Sequence, residues 1–215
     1  MKISGAIFDL DGTLLDSMHI WRNAAGGYLE RHSMPVDSAL WNRICAMSLR
    51  QSATMFHEEM GVSDTPEQIM NDINSSIEEF YFNVAAPKPG AKEFIEKLGN
   101  AGVKMCIASA TDRYLVCAAL ERNGMLSYFE DVITCTMVGA GKGKPDIFLR
   151  ALEVLKTPKD ETFIFEDALY AIRTAKAAGF KVAAVYDRFS HDEQDEIKSL
   201  ADVYAPLVRD FDFSF

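Results

Sequence analysis

Apolar and amphipathic segments alternate along the second half of the chain, and this alternation limits the fold more than any other feature of the sequence. The apolar segments predict strands at residues 103–108, 132–135, 162–165, 182–185 and 202–205. The amphipathic segments predict helices at residues 90–98, 112–123, 146–155, 168–178 and 191–200. Strands that alternate with helices of this length are typical of a parallel, doubly wound sheet, so we predict an α/β, Rossmann-like fold.

The N-terminal segment predicts one more strand, which ends in two carboxylates. The apolar run 3–8 indicates a buried strand, and Asp9 and Asp11 follow it with Leu10 between them. Side chains alternate along an extended chain, so both carboxylates leave the same face, and Gly12 allows a sharp backbone turn. The pattern D-x-D-G-T occurs by chance at about one start position in 10⁵ at ordinary residue usage. We therefore interpret it as a motif rather than a solvated corner.

The segment between this motif and the alternating half carries helical signals and little strand character. Ser17 is a candidate N-cap, and Ser48 and Thr65 each begin a capping-box pattern. The stretch 85–90, Ala-Ala-Pro-Lys-Pro-Gly, cannot continue a helix and indicates a linker. The boundaries predict an α/β core of residues 1–15 and 88–215 and an inserted all-helical domain of residues 16–87.

Charge and cysteine content restrict the partners. The formal net charge of −10 argues against a general nucleic-acid or anionic-membrane partner. The chain shows neither an apolar run of about 18 residues, which a membrane helix needs, nor a secretory signal pattern. The four cysteines show no metal-ligand spacing, which favours free thiols in a reducing compartment. We therefore expect a cytoplasmic monomer or weak homo-oligomer.

The motif that begins at Asp9 resembles the signature of the haloacid dehalogenase-like (HAD) phosphohydrolases. In that superfamily the first Asp is the nucleophile that forms an aspartyl-phosphate, and the second is the general acid and base. The resemblance therefore implies these roles for Asp9 and Asp11, and it implies phosphate-ester chemistry because dehalogenases and phosphonatases lack the second Asp. A carboxylate is a competent nucleophile, and the two roles need different protonation states.

A later stretch, 107–111, resembles the second motif of the same superfamily. The resemblance assigns Ser109 to a hydrogen bond with the transferred phosphate, and the Ala110 backbone N–H is a second candidate donor. Gly12 and Thr13 are assigned to phosphate binding with them. A helix N-cap is the alternative interpretation of Ser109.

The stretch 141–148 resembles the third motif, which supplies a lysine. Counting back without a gap from Pro145 selects Lys142, whereas matching the local Gly-Lys-Pro sequence selects Lys144. Lys142 is preferred because a gap would shorten the segment before the next helix. The resemblance implies that this ammonium neutralises the nucleophile and the phosphate, a task that suits a compact point charge.

The stretch 162–168 resembles the fourth motif, whose acidic pair binds Mg²⁺. The resemblance implies that Asp167 coordinates the ion, while Glu166 acts directly or through water. Asp9 and the main-chain carbonyl of Asp11 complete a set of hard oxygen ligands that suits Mg²⁺.

The inserted helices resemble the small helical cap of the superfamily, in the group of beta-phosphoglucomutase and the small sugar-phosphate or phosphoglycolate phosphatases. Mutase-like sequences have a His where gapless counting places Trp21 here, although His19 is nearby. They also have an Arg directly after a Ser that corresponds to Ser48, whereas here Arg50 lies one residue further on.

We therefore expect a phosphatase that acts on a small phosphorylated metabolite, with a mutase and a non-catalytic binder as alternatives. The candidate substrate contacts on the inserted helices are His19, Trp21, Arg50 and His57. The aromatic tail, 210–215, is expected to dock on the sheet edge or on another subunit, and its alternation suggests an added strand.

Overall fold

A computed structural model describes residues 2–214, and six parallel strands form one sheet within them. The strands are β1 Gly5–Phe8, β2 Lys104–Ser109, β3 Phe129–Thr134, β4 Thr162–Glu166, β5 Lys181–Val185 and β6 Val203–Ala205. Their order in the sheet is β3-β2-β1-β4-β5-β6, so β1 lies between two strands that follow it much later in the chain. The predicted α/β fold class is confirmed.

Ten α-helices lie in the described part of the chain. They are α1 Met18–Arg31, α2 Ser38–Cys45, α3 Leu49–Glu58, α4 Pro66–Glu79, α5 Ala91–Asn100, α6 Arg113–Arg122, α7 Cys135–Val138, α8 Asp146–Leu155, α9 Leu169–Ala177 and α10 Gln194–Leu200. None of the helices within residues 2–214 is long and apolar enough to cross a bilayer.

Most predicted boundaries agree with these elements to within two residues, and the differences have local causes. The strand predicted at 132–135 begins earlier, at Phe129, and Cys135 belongs to α7 instead. The Thr134 hydroxyl accepts a hydrogen bond from the Met137 N–H at 3.3 Å and so caps this short helix. The helix predicted at 191–200 begins as a 3₁₀ segment, and only α10 is α-helical.

The helices α1–α4 follow β1 directly, as the helical signals predicted. Both capping boxes form: the side chains of Ser48 and Thr65 accept the predicted backbone N–H bonds. Ser17 precedes α1 but does not cap it, because its hydroxyl donates to Asp11 instead. After α4 the chain continues as a π-helical turn, Phe80–Val84. The assignment of 16–87 to a separate cap domain stays a prediction.

The two chain segments that connect these helices to the sheet run side by side. The Asp16 N–H donates to the Ala86 carbonyl at 3.1 Å, and the Lys88 N–H donates to the Leu14 carbonyl at 2.8 Å. An antiparallel bridge between Leu15 and Pro87 lies between these bonds. The pairing holds α1–α4 beside the carboxyl end of β1, where ligands bind in sheets of this class.

Aromatic side chains fill one face of the sheet beneath β1. Phe8 and Phe165 stack with ring centroids 4.2 Å apart, and both are fully buried. Phe211 and Phe213 of the tail pack onto the same face, with centroids 5.5 and 5.7 Å from Phe165. This packing fixes the strand that leads into the Asp9 motif.

The tail therefore does not add the strand that its alternation suggested. A single parallel bridge joins Ser214 to Lys2, and the preceding aromatic residues turn into the core because burial there removes more apolar surface than an edge position would. Phe215 lies outside the described residues. All four cysteines are free: Cys106 and Cys135 are buried, while Cys45 and Cys117 are partly exposed.

Candidate active site

Three buried carboxylates meet at the carboxyl ends of the two central strands. Asp9 follows β1, Glu166 is the last residue of β4, and Asp167 follows it. One oxygen of each carboxylate lies within 4.8 Å of the others, and the residues are 7%, 1% and 2% exposed. The register of the parallel strands explains the meeting, because Phe8 pairs with Phe165 and the acids come next.

The Lys142 ammonium lies between two of these carboxylates. Its Nζ contacts Asp9 Oδ1 and lies 2.6 Å from Glu166 Oε1, and the residue is 3% exposed. Burial lowers the pKa of Lys142, but the charges of Asp9 and Glu166 outweigh burial and raise it above its usual value. Lys142 is therefore a cation at neutral pH, whereas Lys144 is exposed.

Both oxygens of Glu166 are already engaged. Oε1 accepts from Lys142, and Oε2 accepts from the backbone N–H groups of Asp167 and Ala168 at 3.1 and 3.2 Å. Burial raises the pKa of Glu166 to about 7, with the charge of Lys142 opposing the shift. Because both oxygens already have donors, this arrangement favours the alternative in which Glu166 acts on a metal ion through water; the metal ligands stay a prediction.

The second aspartate of the motif accepts hydrogen bonds from three hydroxyl groups. Ser17 Oγ and the Tyr81 hydroxyl both donate to Asp11 Oδ1, and Thr111 Oγ1 donates to Asp11 Oδ2 at 2.5 Å. The Trp21 indole N–H donates in turn to the Tyr81 hydroxyl at 2.7 Å. Burial and the charge of Asp9 raise the pKa of Asp11, while these hydrogen bonds oppose the shift.

The loop after β1 is shaped by Gly12 and its contacts. Gly12 has φ +91°, and a Cβ there would lie 2.4 Å from Asp167 Oδ2, so only glycine fits. The Thr13 hydroxyl donates to Asp167 Oδ1 at 3.0 Å. The loop therefore holds Asp167 in place as well as turning the chain.

Of the small residues at the end of β2, Ala110 and Thr111 line the cavity above the carboxylates, whereas Ser109 does not. Ser109 is fully buried, and its Oγ accepts from the Thr111 N–H at 3.0 Å. Ser109 is not the N-cap of α6, since that helix begins at Arg113 after Asp112.

A cavity of about 1000 Å³ lies between these residues and the inserted helices. Trp21 lines it, and its contact with a substrate stays a prediction. His19 lies outside it and packs edge-on against Phe80, with centroids 5.3 Å apart. Arg50 also lies outside it: its guanidinium is exposed and pairs with Glu67 at 2.9 Å, because it is one residue out of helical phase with Leu49, which does line the cavity.

Sequence reasoning missed several residues of the site. Lys88 Nζ contacts the Gly12 carbonyl oxygen and lies 2.8 Å from Asp187 Oδ2, so an almost buried ion pair supports the motif loop. Tyr81 and Thr111 donate hydrogen bonds to Asp11, although they follow it in the chain by 70 and 100 residues. Thr111 belongs to a recognised stretch and could have been found, whereas Tyr81 and Lys88 carry no motif.

Comparisons with known proteins agree with this geometry. The family model of the haloacid dehalogenase-like hydrolases matches residues 6–185. The phosphorylated carbohydrates phosphatase of Thermotoga maritima is 25% identical over 179 residues, which are 83% of each chain. The (DL)-glycerol-3-phosphatase 2 of Arabidopsis thaliana is 30% identical over 203 residues, 90% of this chain and 84% of that one.

A solved structure shows the same fold. CbbY from Rhodobacter sphaeroides in complex with phosphate superposes with a TM-score of 0.81, covering 97% of this chain and 96% of that one at 20% identity. The fold, the matched length and the four motifs in one site agree with one another. The chain is therefore an enzyme of the haloacid dehalogenase-like hydrolase family, as its motifs predicted.

Proposed function

We propose that the protein is a Mg²⁺-dependent phosphatase that hydrolyses a small phosphorylated metabolite, such as a sugar phosphate or a phosphoglycolate-like compound. The observation that carries the proposal is the contact between the Asp9 carboxylate and the Lys142 ammonium at the floor of the cavity. A cation there offsets the negative charge of the nucleophile and attracts an anionic phosphate. The relatives named above, a carbohydrate phosphatase and a glycerol-3-phosphatase, support the same class of substrate.

The donor set fits a magnesium ion. Three carboxylates are buried together and the Lys142 ammonium pairs with only two of them, Asp9 and Glu166. Burial together with the charges of Asp9 and Glu166 raises the pKa of Asp167 well above its usual value. Asp9, Asp167 and the main-chain carbonyl of Asp11 would hold the ion through hard oxygen atoms. When bound, Mg²⁺ would neutralise charge on the phosphate oxygens.

The chemistry then divides between the two aspartates. An Asp9 oxygen attacks phosphorus, the bond from phosphorus to the ester oxygen breaks, and Asp11 gives its proton to that oxygen. Asp11 next takes a proton from water as the water attacks the phosphorus of the aspartyl-phosphate. Inorganic phosphate leaves, and Asp9 is regenerated with Asp11 again protonated.

The hydroxyl groups around Asp11 favour one oxygen for this proton. An indole N–H only donates, so the Tyr81 oxygen accepts from Trp21 and its own proton goes to Asp11 Oδ1. Ser17 donates to Oδ1 as well. Oδ2 has Thr111 as its hydroxyl partner, and a threonine hydroxyl can accept as well as donate. When Asp11 is protonated, the proton is therefore expected on Oδ2, with the Thr111 hydroxyl turned so that it accepts instead of donating.

A phosphatase is favoured over the alternatives by particular residues. Trp21 and Leu49 line the cavity at the positions where mutase-like sequences carry His and Arg, and Arg50 lies outside it. A non-catalytic binder would need no hydrogen-bond network around Asp11. Incubation with a hexose 1-phosphate separates the mutase: we expect free sugar and inorganic phosphate, and formation of the 6-phosphate would contradict the assignment.

The proposal is tested by phosphate release over a panel of phosphorylated metabolites with Mg²⁺. We expect at least one metabolite to be hydrolysed with a higher kcat/KM than p-nitrophenyl phosphate, because the cavity walls can contact a leaving group that fits them. Lack of phosphate release from every compound, with the protein shown to be folded, would reject the phosphatase.

Magnesium should stabilise the folded protein. The ion binds the folded state because it relieves the mutual repulsion of the three carboxylates. By mass action, a concentration of ten times its Kd should then add about 1.4 kcal/mol to the free energy of unfolding. Thermal unfolding with and without Mg²⁺ measures the effect. Asp167→Asn should lose most of the shift, whereas Asp160→Asn, an exposed acid at the amino end of β4, should keep it. An equal shift in both variants would disprove the ligand assignment.

Tyr81→Phe should lower kcat by about 10-fold with little change in KM. The variant removes one hydroxyl that orients Asp11 and leaves the Trp21 N–H without its partner, so part of the 10²–10⁴-fold contribution typical of a general acid is lost. KM is expected to hold because Tyr81 is fully buried behind Asp11 and does not line the cavity. Steady-state kinetics measures both constants.

Tyr114→Phe is the matched control. Its hydroxyl donates to Glu78 at 2.8 Å on the surface, so neither constant should change. A Tyr81→Phe variant with the wild-type kcat would show that Ser17 and Thr111 orient Asp11 without help.

A further inference from the structure

One cation that lines the cavity has no counter-charge. In the described part of the chain the cationic side chains lining the cavity are Arg22, Lys142 and Arg173. Lys142 is paired with carboxylates of the site, and Arg173 donates to Glu196 through Nε at 2.9 Å and Nη2 at 2.6 Å. Arg22 has no hydrogen bond or ion pair with any residue from 2 to 214. Its guanidinium is therefore available to a ligand.

The electrostatic field of Arg22 reaches into the cavity. Burial raises the pKa of Cys45 to about 12, the charges of Asp167 and Glu193 raise it as well, and the guanidinium of Arg22 lowers it. Cys45 lies on α2 and also lines the cavity. Arg22 on α1, Cys45 on α2 and Asp167 after β4 all line this one cavity.

There is room for a ligand beside this guanidinium. Gly26 follows Arg22 by one helical turn and so lies on the same face of α1. A Cβ added at Gly26 would meet nothing within 4 Å, and both Gly26 and Gly27 line the cavity. Two glycines weaken a helix relative to alanine, and here their lack of side chains widens the space next to Arg22.

The other charges around the cavity are mostly negative. Glu30, Asp37, Asp192 and Glu193 line it in addition to the acids of the catalytic floor. A leaving group with its own negative charge is repelled by these side chains, and Arg22 is the place where it gains an attraction. A guanidinium matches the geometry of carboxylate and phosphate through two parallel N–H bonds.

We propose that Arg22 binds a second anionic group, a carboxylate or a phosphate, on the leaving group of the substrate. The preferred substrates are then phosphate monoesters that carry two anionic groups, one at the Asp9 end of the cavity and one at α1. This inference rests on the proposed phosphatase function and narrows its substrate class.

The test compares substrates that differ only in the second group. Glycerol 3-phosphate and 3-phosphoglycerate share a three-carbon skeleton, but the latter has a carboxylate in place of a hydroxymethyl group. Fructose 6-phosphate and fructose 1,6-bisphosphate differ by a second phosphate. We expect the wild type to favour the more anionic member of at least one pair at least 10-fold in kcat/KM, and the pair concerned identifies the group.

Arg22→Gln should reduce that preference at least 10-fold, and Arg22→Lys should restore part of it, since an ammonium keeps the charge without the paired N–H bonds. Arg31→Gln on the same helix is the matched control, because Arg31 is exposed and paired with Asp72 at 2.5 Å. Its preference should equal that of the wild type.

The two proposals fail in different ways. Turnover of p-nitrophenyl phosphate by the wild type tests the phosphatase alone. Turnover with no preference in either pair, or with the same preference in Arg22→Gln as in the wild type, overturns the assignment of Arg22 and leaves the phosphatase standing. Absence of turnover with every compound overturns both.

Discussion

Replacing Asp9 by asparagine is expected to lower kcat for any phosphate monoester by about 10⁴-fold or more, the size of loss typical of removing a covalent nucleophile. An amide has nearly the shape of a carboxylate but cannot form the aspartyl-phosphate. Lys142 keeps its bond to Glu166 in the variant, so the floor of the cavity is expected to stay folded. Phosphate release with p-nitrophenyl phosphate and Mg²⁺ measures the loss.

Asp72→Asn provides the control for Asp9→Asn. Asp72 is exposed, pairs with Arg31 and lies far along the inserted helices, so the same chemical change there should leave kcat at the wild-type value. In acid-quenched wild-type reactions, phosphate should be found on the peptide that contains Asp9. Full activity of Asp9→Asn, or phosphate on another peptide, would refute the assignment of the nucleophile.

Lys142→Gln is expected to impair both the reaction and the fold. The ammonium is the cation that bonds to both Asp9 and Glu166, and its removal leaves two buried carboxylates without their partner. Breaking a buried ion pair in this way typically costs about 3–5 kcal/mol of the free energy of unfolding. Because the same charge attracts the phosphate, we also expect kcat/KM to fall by about 10³-fold.

Urea unfolding and steady-state kinetics measure the two effects separately. Lys144→Gln is the control, because it makes the same change two residues away on an exposed side chain. Its free energy of unfolding should stay within about 0.5 kcal/mol of the wild-type value, the usual range for surface substitutions, and its kcat/KM should equal that of the wild type. If Lys144→Gln were the damaging variant, gapless counting would have selected the wrong lysine.

The sequence was sufficient where local rules determine the structure. The bounds of α8 and both capping boxes agree with the prediction, because propensity, capping residues and apolar periodicity favour the same helices there. The meeting of Asp9 with Asp167 also follows from the strand pattern, since parallel strands end at one edge of the sheet. The roles of these residues in turnover stay predictions.

Tertiary contacts account for what the sequence did not reveal. Ser17 has the residue type of an N-cap, yet its hydroxyl donates to the buried Asp11 carboxylate. Leaving a buried carboxylate without donors costs more free energy than leaving a helix N-terminus uncapped. His19 and Arg50 were selected by proximity in sequence, but helical phase directs them away from the cavity. Tyr81 reaches Asp11 from a π-helical turn, an element that short-range patterns do not predict.

The central position of β1 has a consequence for how the protein acquires its activity. Gly5 pairs with Lys104 on one side and with Thr162 on the other, so both flanking ladders close very long loops. Pairings of this span form slowly, because the entropy of loop closure precedes the contacts that compensate for it. A growing polypeptide on the ribosome carries Asp9 from the start but lacks its neighbours until residue 167 has been added. Partial chains therefore carry Asp9 without the carboxylates that surround it in the folded protein, and this pocket forms only late in synthesis.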